Sequence, residues 1–103
     1  RLLDGGATAI FASDSLMSMG ALRTCIDQGI CIGDEIDLVG FDDLPVFSLT
    51  NPALTVVAQD IDAMGKVAVD LLNRAMSGEL TSCARLDTHF IVRASTRMVK
   101  ENQ

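Results

Sequence analysis

"TAIFASDSLMSMGALRTCIDQGICIGDEIDLVGFDD", residues 8–43, decides the fold. Ala7 to Ala12 is a short apolar run of the kind that forms a buried strand. Ser13, Asp14 and Ser15 come next, three side chains able to accept a hydrogen bond from the first unpaired N–H groups of a helix. Leu16, Met19, Leu22 and Ile26 then recur at helical spacing, with Met17, Ala21 and Cys25 as a second apolar line beside them. So broad an apolar face covers a core on one side and something else on the other. Gly29 ends the helix. "ICIGDE" supplies a turn, and Ile36 to Phe41 is a second strand with too little polar alternation for a wet face, as in a parallel sheet. Strand, helix, glycine turn and strand form a βαβ unit, whose crossover is right-handed almost without exception.

Beyond this unit lies the loop "DDLPVFSLTNPA" and a short strand, "LTVVA". Asp60 or a neighbour starts the longest helix, in which Ile61, Met64, Ala68, Leu71, Leu72 and Ala75 face one way and Asp62, Lys66, Asp70, Asn73 and Arg74 the other, until Gly78 stops it. In "RLDTHFIVRAS", Leu86, Thr88, Phe90 and Val92 alternate with Asp87, His89 and Arg93, the pattern of an edge or half-exposed strand. At the other end, "LLDGG" reads as the last turn of a helix capped by Gly5 or Gly6, so the chain is expected to begin inside a larger fold. The closing "VKENQ" carries no pattern and is expected to fray. The fold class is therefore α/β, a parallel sheet with flanking helices.

At 103 residues, 49% apolar and 21% charged, the composition is that of one small globular domain. No apolar run approaches the ~20 residues of a membrane span, and the N-terminus has no signal-peptide pattern, so a cytoplasmic location and no membrane partner are expected. The net charge is −6, and between Arg23 and Lys66 stand eight acids and no base. Such a surface repels phosphate backbones, which argues against nucleic-acid binding by these residues themselves. Cys25, Cys31 and Cys83 lack zinc-like spacing and read as reduced residues that pack as small apolar groups.

In open α/β sheets, ligands bind beyond the carboxyl ends of the strands. Here those ends are "SDS", "DDLP" and "AQD", which brings Asp14, Asp42 and Gln59 toward one small pocket of carboxylate and amide groups suited to hydroxyl and amino groups of a sugar or purine. Each has a plainer reading: Asp14 or Ser15 caps the helix, and Asp43 caps a turn or sits in water. Asp42 is harder to dismiss, because a charge directly after a buried strand needs partners. His89, the one histidine, has no nucleophile pattern attached and reads as a surface residue. Neither a GxGxxG, a P-loop nor a GxSxG motif is present, so no enzyme, cofactor or metal is expected. The competing reading is a magnesium-dependent phosphoryl-transfer or receiver domain built on Asp14, Asp42 and Asp43, against which no lysine follows a later strand.

With the elements placed, "GFDD", the proline followed by "LT" and a strand, "MG" early in the next helix and the closing "HFIVRAST" fall in an order and spacing that resembles the C-terminal part of the LacI/GalR family of transcriptional regulators, over roughly residues 7 to 97. The resemblance implies a fragment of a periplasmic-binding-protein-like domain, with 1–57 and 92–97 in the C-terminal subdomain and 58–91 returning into the N-terminal one. It implies a repressor whose small-molecule effector, a sugar or related metabolite, shifts the two subdomains and so changes DNA affinity through a helix-turn-helix not found in these residues. Asp42 falls where the family contacts effector, and Asp43 is mainly structural. Gln59 and Ile61 fall where the chain crosses beneath the ligand; some members carry an aromatic at the second position for stacking, which Ile61 lacks. Alignment without a gap from Gly20 puts Asp14 at the ligand and Ser15 in the cap, and is preferred because an insertion inside a packed helix rotates every later residue by ~100°. Aligning on the letters "SD" gives Ser13 the ligand and Asp14 the cap. Helix 15–28 and loop 44–52 resemble the family's dimerisation surface, so Met17, Ala21 and Cys25, or the surface beside them, are expected to meet a second copy in a homodimer.

Overall fold

In the computed structural model, residues 5–97 are described. Of the helix end expected at "LLDGG", Leu2 to Asp4 lie outside them and Gly6 stands at φ 85°; the fraying expected at "VKENQ" lies outside them as well. In chain order the elements are strand β1 (Ala9–Ala12), helix α1 (Ser15–Asp27), strand β2 (Asp37–Phe41), a 3-10 turn at Pro45–Ser48, strand β3 (Thr55–Gln59), helix α2 (Ile61–Met76) and strand β4 (Thr88–Ile91). The four strands form one sheet in the order β1-β2-β3-β4. Ala9 pairs with Asp37 and Ala12 with Gly40, Val39 with Thr55 and Phe41 with Val57, all parallel. The expected βαβ unit is present.

The chain groups into two compact units, one from Arg1–Ala58 with Phe90–Gln103 and the other Gln59–His89. In the first, Leu22, Leu38, Phe47, Leu54, Val56 and Ala58 make the core, with Ile10, Ala21, Ile32, Leu44 and Ile91 packed against it. Helix α1 can lie close on the sheet because β2 offers a glycine beneath it: a Cβ on Gly40 would stand 2.6 Å from Ser18 Oγ and 3.0 Å from Leu54 Cδ2. Ser18 is fully buried, its hydroxyl donating to Asp14 O at 2.8 Å.

Three faces differ from expectation. On α1 the buried side chains are Ser18, Leu22 and Cys25, with Ala21 half-buried, so most of the second apolar line is core. Leu16 (79% exposed), Met19 and Ile26 (63%) stand in solvent instead. Apolarity alone could not tell the two lines apart, because both are wide enough to bury; the tight approach at Gly40 selects the face of Ser18, Leu22 and Cys25, which takes a residue from each line. On β1, Ile10 faces the core and Phe11 is exposed, since β1 is an edge strand. On β4 the phase is opposite to that expected: Ile91 packs on the core while Phe90 and Val92 are exposed. The polar residues Arg93 and Ser95 continue the inward face, which hides the alternation.

In the second unit, α2 runs from an Asp60 cap, whose carboxylate accepts from the Ala63 N–H at 3.0 Å, to Gly78 at φ 85°. None of its residues is buried. Of its expected inward row only Leu71 is half-buried, while Ile61, Met64, Ala68, Leu72 and Ala75 are exposed; the other half-buried side chains of the helix are Ala63 and Val67. Met64, Val67, Ala68 and Leu71 line a groove of about 660 Å³ with Cys83, Ala84, Arg85 and Leu86.

Candidate functional site

The strands β1, β2 and β3 are parallel, so their carboxyl ends point one way, and the register carried one step past Ala12–Gly40 and Phe41–Val57 sets Ser13 beside Phe41 and Asp42 beside Ala58. At Asp42 the ladder ends. Its N–H still donates to Val57 O at 2.8 Å, but its own φ is +74°, the left-handed region that L-residues with a Cβ seldom occupy. Among the described residues Asp42 is the one non-glycine with positive φ. Aspartate tolerates that conformation better than most residues, and strain of this kind concentrates at ligand sites.

The adjacent acid has a separate occupation. Arg93 donates from Nη1 to Asp43 Oδ1 and from Nη2 to Asp43 Oδ2, both at 2.8 Å, and from Nη1 to Leu54 O at 3.0 Å. The pair is mostly shielded, its side chains 17% and 25% exposed. Asp43's hydrogen bonds raise the Arg93 pKa further above its already high ordinary value. Asp43 is thus structural, as the resemblance implied. The Arg93 backbone is fixed too: its N–H donates to Thr55 Oγ1 at 2.8 Å. Two residues on, fully buried Ser95 accepts from the Thr55 N–H at 2.8 Å and donates from the same oxygen to Leu38 O, while its own N–H donates to Ala53 O and its carbonyl accepts from Leu38 N–H. The returning chain therefore stitches β2 to β3 through one hydroxyl.

Sequence reasoning missed Arg93, Thr55 and Ser95 as the residues that hold Asp43 and tie the starts of β2 and β3 to the returning chain. A signal existed, since eight acids without a base between Arg23 and Lys66 require cations from elsewhere. Arg93 supplies one, and Arg97 another: its backbone N–H (2.9 Å) and Nε (3.2 Å) donate to Asp37 Oδ1, the backbone donor foremost in holding the Asp37 carboxyl below its usual pKa.

After β1 the cap is not where the preferred alignment put it. Asp14, not Ser15, is the N-cap of α1, with extended backbone and Oδ1 accepting from the Met17 N–H at 2.8 Å. One carboxylate oxygen of Asp14 is therefore committed to the helix, because an Asp directly before the first helical residue satisfies an N–H that has no partner within the helix. Ser13, the residue of the alternative alignment, is exposed, its hydroxyl donating to Met17 Sδ at 3.2 Å. Ser13, Asp14 and Asp42 all belong to the first unit; Gln59, the last residue of β3, and Ile61, the first of α2, belong to the second.

The acidic trio does not form a metal centre: Asp14 caps and Asp43 is forked by Arg93, and among the described residues no three His, Cys, Asp or Glu side chains are placed to hold a metal ion. His89 is exposed. Of the cysteines, only Cys25 packs as a small apolar group, burial pushing its thiol pKa up; Cys31 and Cys83 are exposed, against expectation, because each lies in a connection rather than on a packed face. No helix among the described residues is long and apolar enough to cross a membrane.

A family model described as a periplasmic binding protein-like domain matches residues 2–96. The HTH-type transcriptional regulator GalS of Salmonella typhimurium is 40% identical over 73 residues, covering 71% of this chain and 22% of GalS. The HTH-type transcriptional repressor CytR of Escherichia coli is 35% identical over 92 residues, 87% of this chain and 27% of CytR. The chain thus spans about a quarter of the curated relatives it matches. Among solved structures, the transcription regulator CcpA of Lactococcus lactis superposes with a TM-score of 0.86 at 30% identity, over 94% of this chain and 36% of that one. A LacI family transcriptional regulator from Enterococcus faecium with bound ribose gives 0.84 at 31% identity, over 96% and 38%.

Proposed function

The chain belongs to the LacI/GalR family of transcriptional regulators, and we propose that it forms the effector-binding and self-association part of a repressor. The effector is a sugar or related metabolite, and its binding is an equilibrium without bond chemistry that changes the relative position of two subdomains and with it the operator affinity of a DNA-binding domain elsewhere in the protein. The unit of Arg1–Ala58 with Phe90–Gln103 is assigned to the C-terminal subdomain and Gln59–His89 to the return into the N-terminal one.

The observation that carries the reading is Asp42 at the carboxyl end of β2, in a left-handed turn, beside an acid already taken by Arg93. A carboxylate in that place accepts from hydroxyl groups, and a charge-assisted hydrogen bond of this kind contributes ~1.5–3 kcal/mol. The ribose held by the Enterococcus faecium relative is consistent with that class of ligand. Ser13 is assigned the polar contact after β1, with Asp14 kept for the cap, and Gln59 and Ile61 keep the effector-binding assignment that the family resemblance gives them. Self-association uses the apolar surface of Leu16, Met19 and Ile26 on α1 with Val46 and Leu49 of the following loop, all exposed in the single chain.

The test is calorimetry of the intact regulator against a panel of pentoses and hexoses that includes D-ribose, repeated with Asp42→Asn. A sugar that binds the wild type and loses at least tenfold in the variant supports the reading. Unchanged affinity in the variant overturns the role of Asp42, and no binding by any sugar overturns the ligand class.

A further inference from the structure

We infer that Arg93 is a positioning residue for Asp42, holding the left-handed turn from which Asp42 meets the effector. The inference rests on the effector reading of Asp42, but its consequence is a backbone geometry that can be measured without any effector.

A non-glycine residue stays at φ +74° only where its surroundings over-determine it. On one side of the turn the Asp42 N–H is held by Val57 O of β3. On the other side the hold is through a side chain. The Asp43 carboxylate is gripped by both ends of the Arg93 guanidinium, and the same guanidinium donates to Leu54 O next to β3. Arg93 cannot drift, because its N–H is bonded to Thr55 Oγ1 and the neighbouring Ser95 is locked between Thr55 and Leu38. Both flanks of Asp42 are thus referred to one strand, directly through Val57 and indirectly through Arg93. A planar fork is needed for this, since two parallel N–H···O bonds fix the orientation of a carboxylate where a single point charge fixes only its distance.

Sequence position adds a second reason. The chain leaves the first unit after Ala58 and re-enters it at Phe90, and Arg93 is three residues past that re-entry. The residue that clamps the Asp42 turn therefore sits on the segment that returns from the second unit.

The measurement is NMR of the full-length protein labelled at aspartate, reading the intraresidue HN–Hα cross-peak of Asp42, which is strong when φ is positive and weak in the extended or helical regions. Arg93→Met should weaken that peak severalfold, with the amide of Asp37 at the start of β2 unmoved, and Arg93→Lys should restore it only in part. Asp43→Asn, which breaks the fork from the other side, should give the same loss and serves if Arg93→Met does not fold. An Asp42 cross-peak at wild-type strength in folded Arg93→Met or Asp43→Asn would overturn the inference, leaving Arg93 as a stabilising residue only. The effector reading is judged separately: unchanged sugar affinity in Asp42→Asn sinks that reading whatever Arg93 does.

Discussion

Arg93 grips Asp43 end-on, guanidinium to carboxylate, with two 2.8 Å hydrogen bonds across fifty positions of sequence. That contact explains how two adjacent acids can follow a buried strand. The second is neutralised from the far end of the chain, so the first takes up its left-handed conformation without an unneutralised carboxylate next to it.

The hydroxyl of Ser95 should be worth more than its size suggests. Ser95→Ala leaves the Thr55 N–H and the Leu38 carbonyl without the partner they share, in a place closed to water. We expect a loss of about 2–4 kcal/mol, the penalty for two unmet main-chain groups. Urea denaturation of the intact protein checks it, and a change below about 0.5 kcal/mol would mean that water replaces the hydroxyl.

Gly40 is required by the approach of α1. Gly40→Ala should destabilise by about 1–3 kcal/mol through overpacking. Ser18→Ala removes the atom that the new Cβ would meet at 2.6 Å, so the two changes together should cost less than their sum. Strict additivity in the double-mutant cycle would place the strain elsewhere.

Folding of the first unit should weaken in acid through Asp37. Its pKa is lowered in the folded state by Arg97, so the stabilisation is complete above the ordinary aspartate value of about 3.9 and is lost as pH falls through the lower folded value. The pair is partly in solvent, the Arg97 side chain more than Asp37, which keeps the effect small and sensitive to salt. Melting curves from pH 6 to pH 2.5 should fall less steeply for Asp37→Asn than for the wild type; parallel curves would remove Asp37 from the account.

Self-association should respond to the outer line of α1 rather than the inner one. Ile26→Glu or Leu16→Glu puts a charge on the exposed apolar surface and should shift the protein toward monomer in sedimentation at tens of micromolar while leaving its melting temperature nearly unchanged. A dimer that survives both substitutions must use another face.

The βαβ unit could be read from residues because its signals are local: a cap before Leu16, a glycine after Gln28, and two apolar runs of strand length. What could not be read depended on partners distant in sequence. The inward phase of the last strand was concealed because Arg93 and Ser95 satisfy main-chain and carboxylate groups of β2, β3 and the loop after β2, and so point inward as polar residues. The choice between Asp14 and Ser15 as cap turned on where the helix begins to within one residue, finer than a hydrophobic pattern defines. Asp42 could be singled out as a charge after a buried strand, but its left-handed backbone has no sequence signal apart from its being an aspartate.

The most direct test of the effector role is release of operator DNA from the intact regulator, titrated with the sugar that dissociates the wild-type complex and compared with Asp42→Asn. Losing one charge-assisted hydrogen bond should raise the sugar concentration for half-release roughly 10- to 100-fold, with operator affinity in the absence of sugar unchanged. Half-release at the wild-type concentration would contradict the assignment of Asp42 to the effector.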